Sequence, residues 1–213
     1  MKYRKKIIGI IILLLTATAQ RAAAQEYFTP PQNVLTALQT VQLHTNTLYW
    51  LAMTPNIGIE LQTDNGIAWQ LDYMGAWWNS HKSNHYYSNY GFQTEVRYYL
   101  DDAAMDAPFT GHHLGLYGQM MTYDFEFGGT GYQCANLTKT WGIGMAYGYV
   151  WPLTRRLSLD VTIGIGYLSS RYTKYVPTDS WYRVVSNDNK WTWFGPTRLE
   201  ATLVYNINMF NDK

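Results

Sequence analysis

The chain has 213 residues, of which 47% are hydrophobic, 16% aromatic and only 15% charged, and its formal net charge is +1. No basic stripe stands out, so nothing points to a nucleic-acid partner, and the single cysteine, Cys134, rules out a disulfide framework or a thiolate metal site. A slightly polar mean hydropathy argues against apolar membrane helices, but not against a barrel, whose strands are only half apolar.

Residues 1–24 read as a cleaved secretory signal. Lys2, Arg4, Lys5 and Lys6 form the positive region, Ile7 to Leu15 the apolar region, and Ala22-Ala23-Ala24 the small-residue cleavage site before Gln25. The apolar run is too short to cross a bilayer as a helix. Losing this segment removes Lys2, Arg4, Lys5, Lys6 and Arg21, which leaves eleven basic against fifteen acidic residues and a net charge of −4. The remainder, about 189 residues, suits one barrel domain over 41–210. Residues 25–40, with Pro30-Pro31, read as a periplasmic N-terminal tail.

Eight strands follow. The first is expected over residues 41–51 and the second over 56–63, with Ile57, Ile59 and Leu61 on one face and Gly58, Glu60 and Gln62 on the other. Asp64-Asn65-Gly66 is a hairpin turn signal. The third strand, 67–77, sets Ile67, Trp69, Leu71, Tyr73 and Trp77 against Ala68, Gln70, Asp72, Met74 and Ala76. A polar loop over 78–89 leads to the fourth, 90–100, with Phe92, Val96, Tyr98 and Leu100 opposite Gln93, Glu95, Arg97 and Tyr99. The fifth spans 112–124 and is followed by a glycine-rich loop over 125–139.

The sixth and seventh strands carry the clearest pattern. Trp141, Ile143, Met145, Tyr147, Tyr149 and Trp151 alternate with Gly142, Gly144, Ala146, Gly148 and Val150; after a link with Pro152 and two arginines, Leu157 to Tyr167 alternate with Ser158, Asp160, Thr162, Gly164 and Gly166. Alternation means extended strand, because successive side chains point to opposite faces. One face is bulky and apolar with aromatics at its ends, and the other is small or polar. A barrel in lipid turns the first outward and packs the second inside. A loop over 173–192 precedes the eighth strand, 193–208, with Leu199, Ala201, Leu203, Tyr205 and Ile207 outward. The expected fold is therefore all-β, an eight-stranded antiparallel up-and-down transmembrane β-barrel. An even strand number lets the meander close without an edge. Apart from the link over 52–55, which is short where an external loop is expected, short links alternate with long ones, as periplasmic turns do with external loops, so 78–89, 125–139 and 173–192 are expected outside the cell.

Several blocks carry a resemblance. They are His44-Thr45-Asn46-Thr47-Leu48-Tyr49-Trp50, Thr54-Pro55-Asn56-Ile57-Gly58-Ile59-Glu60, Glu95-Val96-Arg97-Tyr98-Tyr99, Gly111-His112-His113-Leu114-Gly115, Tyr147-Gly148-Tyr149, Ile163-Gly164-Ile165-Gly166-Tyr167 and Phe194-Gly195-Pro196-Thr197. In this order they resemble a Bacteroidetes outer-membrane barrel family known chiefly as a domain of unknown function. The resemblance implies an eight-stranded outer-membrane barrel of the OmpA-like size class and, for some relatives, an association with fimbria-type surface assembly. It implies no activity. His44 stands where the resemblance leads one to expect lysine.

The inward faces carry Glu60, Asp72, Glu95, Arg97, Asp160, Arg198 and Glu200. Buried charges must be paired or hydrated, and an eight-stranded barrel is just wide enough to be filled by side chains. These groups are expected to form a polar network that plugs the lumen, with each arginine held by more than one carboxylate and Asp160 as an acid without an arginine partner. A narrow ion path is the alternative. His85-Tyr86-Tyr87-Ser88 vaguely resembles the His and Ser of lipid A deacylases, so a barrel enzyme acting on outer-membrane lipid is a second alternative. Its spacing departs from theirs, and nothing fixes the third group that a serine nucleophile needs. His112 and His113 are adjacent and so face opposite ways, which prevents joint chelation. A soluble lipocalin-like barrel would bury the bulky face instead. The leading expectation is a non-enzymatic outer-membrane barrel with a structural, anchoring or interaction role, no cofactor and no metal. Its expected partners are outer-membrane lipid and surface or fimbria-type proteins.

Overall fold

A computed structural model describes residues 38–63, 66–80, 85–100, 110–154, 156–178 and 181–207. The signal segment 1–24, residues 25–37 of the tail, the Asp64-Asn65 half of the hairpin turn and Arg155 lie outside the described residues. The strands are β1 (Leu38–Asn46), β2 (Asn56–Thr63), β3 (Ile67–Ser80), β4 (His85–Tyr99), β5 (Gly111–Phe127), β6 (Gly131–Cys134), β7 (Thr140–Pro152), β8 (Leu157–Pro177) and β9 (Tyr182–Ile207). One helical turn, α1 (Thr47–Leu51), follows β1, and a 3-10 turn, Leu137–Lys139, precedes β7.

All pairings are antiparallel, and consecutive strands are neighbours from β1 through β5, then β7, β8 and β9. β9 pairs back on β1, with Val41 opposite Ile207 and Asn46 opposite Thr202, so eight strands close a ring. Within the described span of this ring no strand edge is left where β1 and β9 meet. The short β6 pairs with β5 and β8 above the start of β7 and continues the wall outward there.

The two faces separate as the alternation requires. Ile163 is 56% exposed and Ile165 53%, whereas Thr162 between strand neighbours is fully buried. Trp69, Leu71, Val96, Leu116, Ile143, Met145 and Leu199 are likewise exposed on the outside. Among the described residues the interior is polar, with one small apolar cluster of Ala68, Tyr99 and Val150. This is the inverse of a soluble barrel and rules against the lipocalin-like arrangement. No helix among the described residues is long and apolar enough to cross a membrane, which has no bearing on crossing by strands.

Five segments differ from expectation. Residues 38–40, assigned to the tail, open β1. Residues 47–51, assigned to the first strand, form α1, because the Asn46 side chain accepts from the Leu48 amide and so caps a helical turn. The loops expected over 78–89 and 173–192 are largely strand. β3 and β4 stay paired to Ser80 and His85, and β8 and β9 to Pro177 and Tyr182. The 125–139 loop contains β6. Ladder hydrogen bonds need no apolar side chain, so strands run on past the end of the apolar pattern. The wall is consequently uneven. β9 has 26 residues and β8 21, while β1 has 9 and β2 8.

Candidate functional site

The inward parity of β2, β4, β8 and β9 brings six of the seven expected luminal residues into one cluster. Arg97 Nε donates to Glu95 Oε2 at 2.8 Å, and its Nη1 donates to Glu60 Oε2 at 3.0 Å and Asp160 Oδ2 at 2.8 Å. Arg198 donates to the same Glu95 oxygen at 2.6 Å and to Glu200 Oε2 at 2.5 Å. The side chains of Arg97, Arg198, Glu60, Glu95, Asp160 and Glu200 are all at most 4% exposed. Glu95 thus links the two arginines, and each arginine holds more than one carboxylate. Asp160 departs from expectation: it is a partner of Arg97, because the stagger of β8 lifts it to the level of β4's Arg97 across the interior.

Asp72 stands apart. Its Oδ1 lies 2.6 Å from His44 Nε2, and its Oδ2 accepts from Gln70 Nε2 at 2.7 Å. The residue that replaces the expected lysine, His44, therefore does contact an acid. Gly58 makes this possible, since a Cβ there would overlap His44 Nε2 and Asp72 Oδ1. Gly115 does the same for Glu95, whose Oε1 occupies the space a Cβ would take. These inward glycines make room for large polar neighbours.

Several members of the network were not singled out beforehand. Tyr99 donates to Glu60 at 2.8 Å, Gln93 donates to Glu200 at 3.0 Å, and Thr162 donates to Asp160 at 2.9 Å. His113 Nε2 lies 3.0 Å from Asp160 Oδ1, and the Tyr117 ring sits 5.3 Å from the Arg198 guanidinium. All share the inward parity of their strands, so the same alternation would have selected them; only their lack of a fixed charge hid them. His112 faces the other way and meets the Tyr147 hydroxyl at 2.6 Å.

Above the cluster, α1 places Tyr49 beside Asp72, Gln93 and Glu200, around a cavity of about 10 Å³, room for one water molecule. His85 and Ser88 are three residues apart on β4, so strand alternation sends them to opposite faces. Among the described residues no group of His, Cys, Asp and Glu could hold a metal ion.

Closed ring, apolar exterior and charged interior together define an eight-stranded antiparallel β-barrel of the inverted, lipid-facing kind. The chain belongs to the family described as "Protein of unknown function (DUF3575)", whose model matches residues 10–207. A solved structure that the chain resembles is that of Neisserial surface protein A. It is 15% identical, with a TM-score of 0.38, over 79% of this chain and 96% of that one. No curated protein matches.

Proposed function

We propose that this protein is an outer-membrane barrel with a structural, anchoring or cell-surface interaction role, non-enzymatic, with a lumen plugged by its own polar side chains. The observation that carries the reading is the Arg97 cluster. One guanidinium binds carboxylates from β2, β4 and β8, and Arg198 extends the cluster to β9. The pairings span the interior, and the 10 Å³ cavity beside them is far too small for a hydrated ion. The exposed band of Ile, Leu, Trp and Tyr supports lipid as the outer partner. The long β8–β9 hairpin, with Trp181 81% and Tyr182 74% exposed near its tip, offers a surface to other cell-surface or fimbria-type proteins.

The test is planar-bilayer recording of the refolded barrel, with membrane fractionation and heat-modifiable gel migration as the check on its folded state. No steady current is expected. A sustained ohmic conductance would overturn the plugged lumen and restore the narrow ion path. Lipid A acylation is expected to be the same with Ser88→Ala as with the wild type; a change would restore the enzyme reading.

A further inference from the structure

We propose that Lys139, Arg171 and Lys190 form a docking site for the phosphate group of an outer-leaflet lipid. The inference rests on the lipid-facing reading of the wall and adds to it a specific headgroup contact.

The register supplies the geometry. On β8 and β9, Tyr167 pairs with Phe194, and four steps further out Arg171 pairs with Lys190. No bulge interrupts the ladder between those pairs, so Arg171 and Lys190 share the outer face with Tyr167 and Phe194. On β7, Thr140 pairs with Ser170, which puts Lys139 at the level of Arg171. Three cations from neighbouring positions thus form one row around the wall.

The row's height matters as much as its charge. Trp141 and Tyr167, with ring centroids 5.7 Å apart, and Phe194, which is 72% exposed, make an outward aromatic patch at the end of the apolar band. Aromatic rings of a membrane barrel mark the headgroup level. Four residues span roughly 13 Å along a tilted strand, so the cations are anchored on the water side of the aromatics, and their long side chains can reach back to the lipid phosphates.

The charges are not balanced within the protein. Asp188 Oδ2 accepts from Arg171 at 2.8 Å and its Oδ1 lies 3.6 Å from Lys139 Nζ. That carboxylate is paired with two of the three cations, and Lys190 has no ion-pair partner among the described residues. Arg171 and Lys190 are directly opposed across the ladder, an arrangement that is unfavourable for like charges unless an anion lies over them. A cavity of about 130 Å³ opens beside the row, lined by Lys139, Arg171, Asp188, Asn136 and Thr173. It can admit a phosphate group, which the Arg171 fork and the Lys139 ammonium bind by charge-assisted hydrogen bonds, with Lys190 on the same face across the ladder from Arg171. The acyl chains of the same lipid would lie along Ile143, Ile165 and Leu199 below.

The experiment uses the full chain. Insertion into phosphatidylcholine vesicles is scored first by heat-modifiable migration. Lipid retention is then scored by native mass spectrometry in a non-ionic detergent, with phosphatidic acid, phosphatidylcholine or inorganic phosphate added separately. The wild type should retain phosphatidic acid about tenfold more tightly than phosphatidylcholine, the factor expected from one charge-assisted hydrogen bond. Arg171→Gln combined with Lys190→Gln should remove that preference, while Arg183→Gln, further out on the hairpin, should keep it. Inorganic phosphate should not be retained. Equal retention of the two lipids by the wild type, or an unchanged preference in the double variant, overturns the site. Retention of inorganic phosphate as tight as that of phosphatidic acid overturns the lipid as its source. Failure to insert into vesicles is a separate result that overturns the lipid-facing wall, and the headgroup contact with it.

Discussion

The Arg97 guanidinium and the Asp160 carboxylate meet at 2.8 Å, although they are 63 residues apart and their strands, β4 and β8, are not neighbours. The pair is a cross-brace through the interior. Arg97 also reaches Glu60 on β2, so one side chain ties three separated parts of the wall.

Removing that brace should be costly. Arg97→Ala leaves Glu60, Glu95 and Asp160 buried together without their common cation, a kind of loss that costs about 3–5 kcal/mol. Asp72→Asn should cost much less, since Asp72 is partly exposed and has His44 and Gln70 rather than an arginine as partners. Urea unfolding of the refolded barrel in detergent compares the two. Equal, small effects would count against a plugged interior.

Close approach makes a sharper steric prediction. Gly115→Ala puts a methyl group where Glu95 Oε1 sits, and Glu95 cannot retreat without leaving both arginines. Gly118→Ala, three residues along the same strand, meets nothing nearer than the Gly142 carbonyl oxygen at 4.0 Å. Overpacking of this kind costs about 1–3 kcal/mol. The first variant should unfold at clearly lower urea than the second.

Lipid contact is tested by charge on the outer face. Ile163→Arg should cost about 2–4 kcal/mol if Ile163 lies near the bilayer midplane. An inward control at Thr162 is unsuitable, because Thr162 is fully buried against His113 and Gly148 and any larger side chain would clash. Val185→Arg, on the projecting hairpin and 52% exposed, is the better control and should fold normally. Folding yields into lipid vesicles decide the matter; equal yields would reverse the assignment.

Topology can be read on intact cells. An epitope tag between Thr178 and Trp181 should bind antibody without permeabilisation, and one beside Gly66 should not. The reverse pattern would invert the barrel.

Alternation along single strands was sufficient to establish an eight-stranded all-β chain with Ile163 outward and Thr162 inward, because side-chain direction in a strand repeats every two residues and is a local property. It also selected the seven charged luminal residues. It did not reveal which of them meet. Glu95 came to link Arg97 and Arg198, and Asp160 to join Arg97, only through the closure of β9 on β1 and the stagger of strands that closure imposes. Strand length was equally hidden. Between Thr173 and Thr192 apolar alternation weakens and polar residues collect, yet the ladder continues, since water-exposed strands are held by backbone bonds to a neighbour that the sequence does not name. The turn at α1 depended on Asn46 capping Leu48, and the alignment of Lys139, Arg171 and Lys190 on register across β7, β8 and β9. Direction is written residue by residue; proximity across a closed sheet exists only once the sheet has closed.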